Sequence, residues 1–348
     1  MPLSAVDVIT PAFERMRQHL FRPFQFSQWI RFAIVGFLAG EMGAGGLSGR
    51  FPSRTSSQQG PILEGMRLPF GGSPLLIVLI CLIALLALTL FILLLYVSSR
   101  MRFVLFDSVL AGKCRIRDFW RRRGDVAFRY FAWQFLFLLC VIIGMILLFG
   151  IAFGFAYGMG WFSSPRDHIL PLVLGGILFF LIFLASIAVI GVVQVLVKDF
   201  VVPQMAFDHV SVGEGWRRLW SMMKTEKGGY AGYIGMKIVL SFAAAVILFV
   251  AALIVFVVLL IPVGGVGAIT VLAGRAAGLT WNPLAIAIAI VVGGIVLTAL
   301  ILIVALISVP AIVFFPAYSI HFFAERYPAL RAALNAPPSN LDVGPVFL

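Results

Sequence analysis

The stretch Phe200–Met223, FVVPQMAFDHVSVGEGWRRLWSMM, decides how the chain is read. It is short, polar and proline-bearing, and it stands between two strongly apolar runs, Ile169–Val197 and Tyr230–Val263. Pro203 has no N–H to give a helix, so an elbow is expected there. Ser211 with Glu214 three residues on is a capping-box pattern that would start a new helix. On that helix Trp216, Leu219, Trp220 and Met223 share one face, with Arg217, Arg218, Ser221 and Lys224 opposite. Indole on one side and guanidinium on the other suit the headgroup layer of a membrane.

The composition around this elbow supports a membrane setting. The chain has 348 residues, 62% hydrophobic and only 11% charged, whereas soluble domains carry roughly 25% charged residues. The expected fold is all-α: a polytopic membrane protein with six transmembrane helices as three hairpins, joined by interfacial amphipathic helices. The spans are read at Gln28–Gly43, Pro74–Ser98, Phe128–Gly158, Ile169–Val197, Tyr230–Val263 and Pro283–Ser308. The first is marginal, because a core of about 30 Å takes about 20 residues to cross. Before it, Val6, Ile9, Phe13, Met16 and Leu20 recur at helical spacing, an amphipathic segment suited to the interface. Gly45–Ser73 is expected as an outer loop, and Gly264–Asn282 as an outer loop or a shallow re-entrant segment. Pro310 and Pro316 are expected to disrupt the last helix.

A net charge of +12 raises nucleic acid as a partner, but the positions of the charges exclude it. Of the 26 Lys and Arg residues, 21 fall in the N-terminal segment, the two elbows and the C-terminal tail. The opposite loops hold only Arg50, Arg54, Arg67, Arg166 and Arg275. That asymmetry is what the positive-inside rule produces, and with an even number of spans it puts both termini in the cytoplasm.

The elbow has relatives within the chain. Arg102–Asp107 and Pro203–Asp208 share a terminal Phe-Asp, and Phe314-Phe315-Pro316-Ala317-Tyr318 echoes Val201-Val202-Pro203-Gln204-Met205. A single membrane domain with repeat units 1–98, 99–197 and 198–308, closed by a C-terminal elbow and tail at 309–348, is expected. Units of two spans each enter the membrane in one orientation and relate by an axis along its normal. On Phe200-Val201-Val202-Pro203 and Trp216-Arg217-Arg218 the chain resembles uncharacterised bacterial six-span families with Pro- and Trp-bearing elbows. It is similar, more faintly, to the membrane domain that accompanies some glycerophosphodiester phosphodiesterases. The resemblance implies residence in the bacterial cytoplasmic membrane and carries no activity, since no phosphodiesterase domain is present.

Little in the sequence points to chemistry. The histidines make no HxxxH or HExxH, there is no phosphate-binding loop or nucleophile elbow, and Cys81, Cys114 and Cys140 form no CxxC pair. No cofactor, no metal and no enzymatic activity are expected. The candidate lipid or substrate contacts are Trp120, Arg121, Arg122, Arg123, Trp216, Arg217 and Arg218, a basic collar for anionic headgroups. The polar residues at membrane depth are Arg31, Glu41, Gln134, Gln194 and Lys237, with Glu41 placed at the outer end of the first span. Lys198-Asp199 reads as a local ion pair. Gly150, Gly154 and Gly158 recur every fourth residue and form a flat ridge for a second helix. Packing within the chain is expected there, with a protein partner or homo-oligomer as the alternative. Transport or lipid handling leads as a function, and a non-enzymatic scaffold or assembly partner is the alternative.

Overall fold

The computed structural model describes residues 4–22, 24–41, 74–162, 168–276 and 283–335, and every regular element among them is helical. In order they are α1 (Ile9–Phe21), α2 (Phe26–Leu38), α3 (Pro74–Ala111), α4 (Ile116–Arg122), α5 (Gly124–Gly158), α6 (Ile169–Leu196), α7 (Val202–Asp208), α8 (Val212–Thr225), α9 (Lys227–Ala276), α10 (Pro283–Ile307), α11 (Val309–Ala324) and α12 (Pro328–Asn335). Five helical segments are long and apolar enough to cross a membrane: Ile77–Ala111, Gly124–Gly158, Ile169–Asp208, Lys227–Leu259 and Val291–Ala324. The chain is an integral membrane protein by that measure.

The first expected span is different. α2 has 13 residues, about 20 Å of helix against a core of about 30 Å. It starts at the level of Cys114, whose carbonyl accepts from Arg31, and it ends beside Arg102, which donates to the Ala39 carbonyl. Both lie at the basic end of the molecule, so Glu41 sits at the same end of the spans as Arg102 and Lys198 and not at the opposite end. The physical reason is the company a buried carboxylate needs, and its cations come from α3 and α6.

The hydrophobic core lies at one end of the molecule. It is built from α1, α2, the last turns of α3 (from Met101), the start of α5, the π-turn and α7, the first turns of α9, and α11. At its centre Phe200 packs among Tyr230, Tyr233, Phe322 and Phe323, with ring centroids 5.0–5.9 Å apart. Outside this end the most apolar stretches of α3, α5, α6 and α9 bury nothing in the protein interior. They are solvated by lipid, which is as apolar as a core.

The expected elbow at Phe200 is no elbow. Helix runs without a break from Ile169 to Asp208, and Phe200–Ala206 is buried throughout. A π-turn at Val197–Val201 closes the Val202 N–H onto the Val197 carbonyl, one residue further back than an α-helix would. That wider turn takes up the donor Pro203 lacks, so the proline sits inside the helix without breaking it. His209, at φ 54°, then ends α7 in the left-handed conformation. Ser211 caps α8 as the sequence suggests, its Oγ accepting from the Glu214 N–H at 3.3 Å. Pro310 stands at the start of α11 and Pro316 inside it, so α11 continues to Ala324.

Two further expectations change. α9 continues as helix through Ala276, so most of Gly264–Asn282 is helical rather than loop. α1 packs on α11 through Val8, Ala12, Met16 and Leu20, while Val6 and Phe13 of the expected stripe are exposed. Gly45–Ser73 and the turn around Arg166 lie outside the described residues.

Candidate functional site

The densest polar chemistry is a buried charge cluster where the basic ends of the spans meet the core. It begins with the end of α2. Gly36 lies so close to Ile312 of α11 that a Cβ there would approach its side chain to 2.6 Å. Four residues on, Gly40 takes φ +76°, and the Gly40 and Glu41 N–H groups close onto the Phe37 and Gly36 carbonyls. That is a Schellman cap, and it turns Glu41 inward.

Glu41 accepts from the Lys198 ammonium at 2.9 Å and lies 4.0 Å from the Arg102 guanidinium. Arg102 also donates to the Tyr130 hydroxyl and stacks on its ring. On the other side of the π-turn Asp199 pairs with Lys237 and accepts from the Tyr233 hydroxyl at 2.8 Å. Neighbouring positions on a helix point about 100° apart. Lys198 and Asp199 are therefore not a local pair: they reach to α2 and α9 respectively. Three cations and two carboxylates are held here with side-chain exposures between 5% and 13%. The arrangement ties four segments distant in sequence, α2, α3, α6 and α9, and fixes their register.

A second buried pair lies below it. Asp107 at the end of α3 meets Arg123 at 3.1 Å, and Arg123 also donates to the Ala206 carbonyl of α7. Asp208 meets Arg218 at 2.6 Å and Glu226 meets Arg326 at 2.6 Å. Each of these pairs joins the end of a long helix, or the linker after it, to a neighbouring short segment.

Between α1 and α11 the structure brings His19 within electrostatic reach of His321, and each has a buried ring nitrogen without a hydrogen-bond partner. Burial, followed by the charges of Arg15 and His321, holds His19 down at about 4. Arg15 itself donates to the Leu110 carbonyl at 2.7 Å.

At membrane depth the apolar helices α5 and α6 leave an open cleft of about 670 Å³ between them, lined by Gly144, Met145, Leu148, Ile182, Ala185 and Val189 among others. A second, of about 550 Å³, lies nearer their connection, beside Trp161, Gly175 and Phe179. Their linings are almost wholly apolar side chains.

A family model described as a family of unknown function, DUF7544, matches residues 3–333. The chain belongs to DUF7544. No curated protein and no solved structure matches it, and nothing links it to the glycerophosphodiester phosphodiesterases.

Within this DUF7544 member the expected collar divides. Arg121 and Arg122 are exposed, and Arg217 is exposed with an ion pair to Glu214 at 2.6 Å. Arg123 and Arg218 are taken up by Asp107 and by Asp208 with Glu214. Trp120 is half-buried under Arg100, and Trp216 is half-buried against the core. Among the intramembrane candidates, Glu41 and Lys237 join the charge cluster. Gln134 accepts from Ser99 at 3.1 Å, Arg31 is exposed near Cys114, and Gln194 is half-buried on the last turn of α6. Gly150, Gly154 and Gly158 are exposed, and a Cβ on any of them would meet nothing within 4 Å, so the expected packing within the chain is not found among the described residues.

Arg102, Tyr130 and Tyr233 were not singled out by sequence, and Asp199 was read only as a local partner of Lys198. Arg102 sits in a run of basic residues and reads as one more of them. A tyrosine three or four residues from an intramembrane cation, as in Tyr233 and Lys237, is the signal that would have found the rest.

Proposed function

We propose that this protein binds and handles lipid in the bacterial cytoplasmic membrane, as a binding protein rather than a catalyst. The observation that carries the reading is the apolar cleft between α5 and α6. It is open toward the bilayer, and its volume falls within the roughly 300–1,000 Å³ of small-molecule sites. Gly144 and Ala185 keep it open, because side chains of that size leave room where leucines would meet. The exposed arginines of α4 and α8 lie at the inner ends of the same helices and suit anionic headgroups.

The topology we read has six crossings in three hairpins, with both termini cytoplasmic. Supporting this, α1 and α12 both pack around α11 at the end that carries most of the basic residues.

Native mass spectrometry of the purified full chain tests the lipid reading. Wild-type protein is expected to retain phospholipid, and Gly144→Leu with Ala185→Leu, which fill the cleft, to lose it. Equal retention by a correctly folded double variant would sink the reading.

One observation favours a second reading, a membrane scaffold that assembles with itself or another protein. The Gly150/Gly154/Gly158 ridge has no partner within the described residues. Energy transfer between labelled copies in liposomes, lost on Gly154→Leu, would support that reading over the first.

A further inference from the structure

Arg100 stands apart from the other buried arginines. Arg102, Arg123 and Arg326 each have a carboxylate within 4.0 Å, and Arg15 donates to the Val109 and Leu110 carbonyls. The Arg100 guanidinium instead lies over aromatic rings, 4.6 Å from the Trp120 centroid and 5.6 Å from that of Tyr96. Its Nε is buried and has no hydrogen-bond partner among the described residues. An Nη atom reaches the start of α5, where a Cβ on Gly124 would approach it to 2.8 Å. A half-buried cation with no carboxylate beside it is costly unless something supplies the missing acceptor.

The depth of the group says what that is. The apolar run of α3 ends at Val97, and Ser98-Ser99-Arg100 is its first polar step. That is the level at which lipid phosphates lie, with indole and phenol rings in the belt around them. Stacking on rings occupies the faces of a guanidinium and leaves its in-plane N–H donors free, a geometry that matches two phosphate oxygens. Arg117 and Arg121, exposed on the short helix that carries Trp120, add positive charge at the same edge. We infer that Arg100, clamped by Tyr96 and Trp120, binds the phosphate of an anionic phospholipid of the inner leaflet. The site is distinct from the α5/α6 cleft and rests on reading α3 as a membrane span whose Arg100 end faces the cytoplasm.

The test uses the full chain in zwitterionic detergent, titrated with phosphatidylglycerol or phosphatidylcholine and read as bound lipid by native mass spectrometry. Wild type is expected to prefer phosphatidylglycerol. Arg100→Gln should weaken that lipid about tenfold, while Arg100→Lys, which keeps charge but not the planar fork, should fall between. Gly124→Ala, which crowds the guanidinium while improving helix propensity, should also weaken binding and guards against a variant that merely fails to fold. Unchanged phosphatidylglycerol binding in folded Arg100→Gln and Gly124→Ala overturns the inference, as does displacement of the lipid by low-millimolar inorganic phosphate, which would reassign the site to a soluble anion. Loss of lipid only in the cleft-filling variants would leave the cleft reading standing and remove this one. Loss only in the Arg100 and Gly124 variants would do the reverse.

Discussion

Glu41 and Lys198, 157 residues apart in sequence, meet at 2.9 Å in the interior at the basic ends of the spans. The contact joins a 13-residue helix that stops short to a long helix that widens into a π-turn. Removing one partner leaves the other charge buried and uncompensated. Glu41→Gln is therefore expected to destabilise the protein by about 3–5 kcal/mol, with Arg102 losing its carboxylate as well. Replacing both partners with apolar residues, Glu41→Leu with Lys198→Met, should cost less than the single change. Thermal unfolding in detergent decides this, and a double variant less stable than Glu41→Gln would show that the pair is not the unit of stability.

α2 and α11 approach through Gly36 and Ile312. Gly36→Ala overpacks that contact and should cost about 1–3 kcal/mol. Ile312→Ala makes room for the new methyl, so the two changes together should cost clearly less than their sum. Strict additivity in a double-mutant cycle would mean that the two helices can separate at that point without penalty.

Docking of α1 onto α11 should depend on pH. His19 is held at about 4 in the folded protein against an ordinary value near 6.5. Between those values the undocked state binds more protons, so docking is at full strength above pH 6.5 and weakens as pH falls toward 4. Hydrogen exchange of Ile9–Phe21 should accelerate on going from pH 7.5 to 5 after correction for intrinsic rates, and His19→Asn should flatten the change. A pH-independent wild type would count against it.

Native Cys114 does not report topology. It is buried, and burial pushes its thiol above the usual range, so it is shielded from reagent on either side of the membrane. Ser221→Cys on α8 and Met159→Cys just beyond α5 are exposed positions at opposite ends. With Cys81 and Cys140 replaced by alanine, a membrane-impermeant maleimide added to intact cells should label Met159→Cys and miss Ser221→Cys. The opposite pattern would invert the orientation.

The long apolar helices were readable because hydropathy alone identifies a segment that lipid can solvate. Ser211 and Glu214 were readable because a cap is a local device. The position of the core was not. Phe200, Val201 and Val202 are apolar whether they face lipid or protein, and no helical period separates the two. Pro203 was read as a break because its missing donor is visible, while the π-turn that absorbs it is set by the packing of Phe200 and Asp199. Arg102 and Arg123 were hidden among basic neighbours, since only the fold reveals which cation has a carboxylate waiting. The collar was therefore half legible: Arg121 and Arg217 face outward, whereas Arg123 and Arg218 hold the structure together.

The core gathers the described helices at one end, and the most apolar stretches of α3, α5, α6 and α9 bury no residue in the protein interior, their contacts reduced to side-by-side ones such as Phe149 with Phe179 and Phe183. Such helices can tilt to match the bilayer around them at a cost of only fractions of a kcal/mol per Å. Bilayer thickness is thus a variable this fold does not have to specify, and the Glu41, Lys198, Asp199 and Lys237 cluster can keep its geometry in a thin membrane or a thick one.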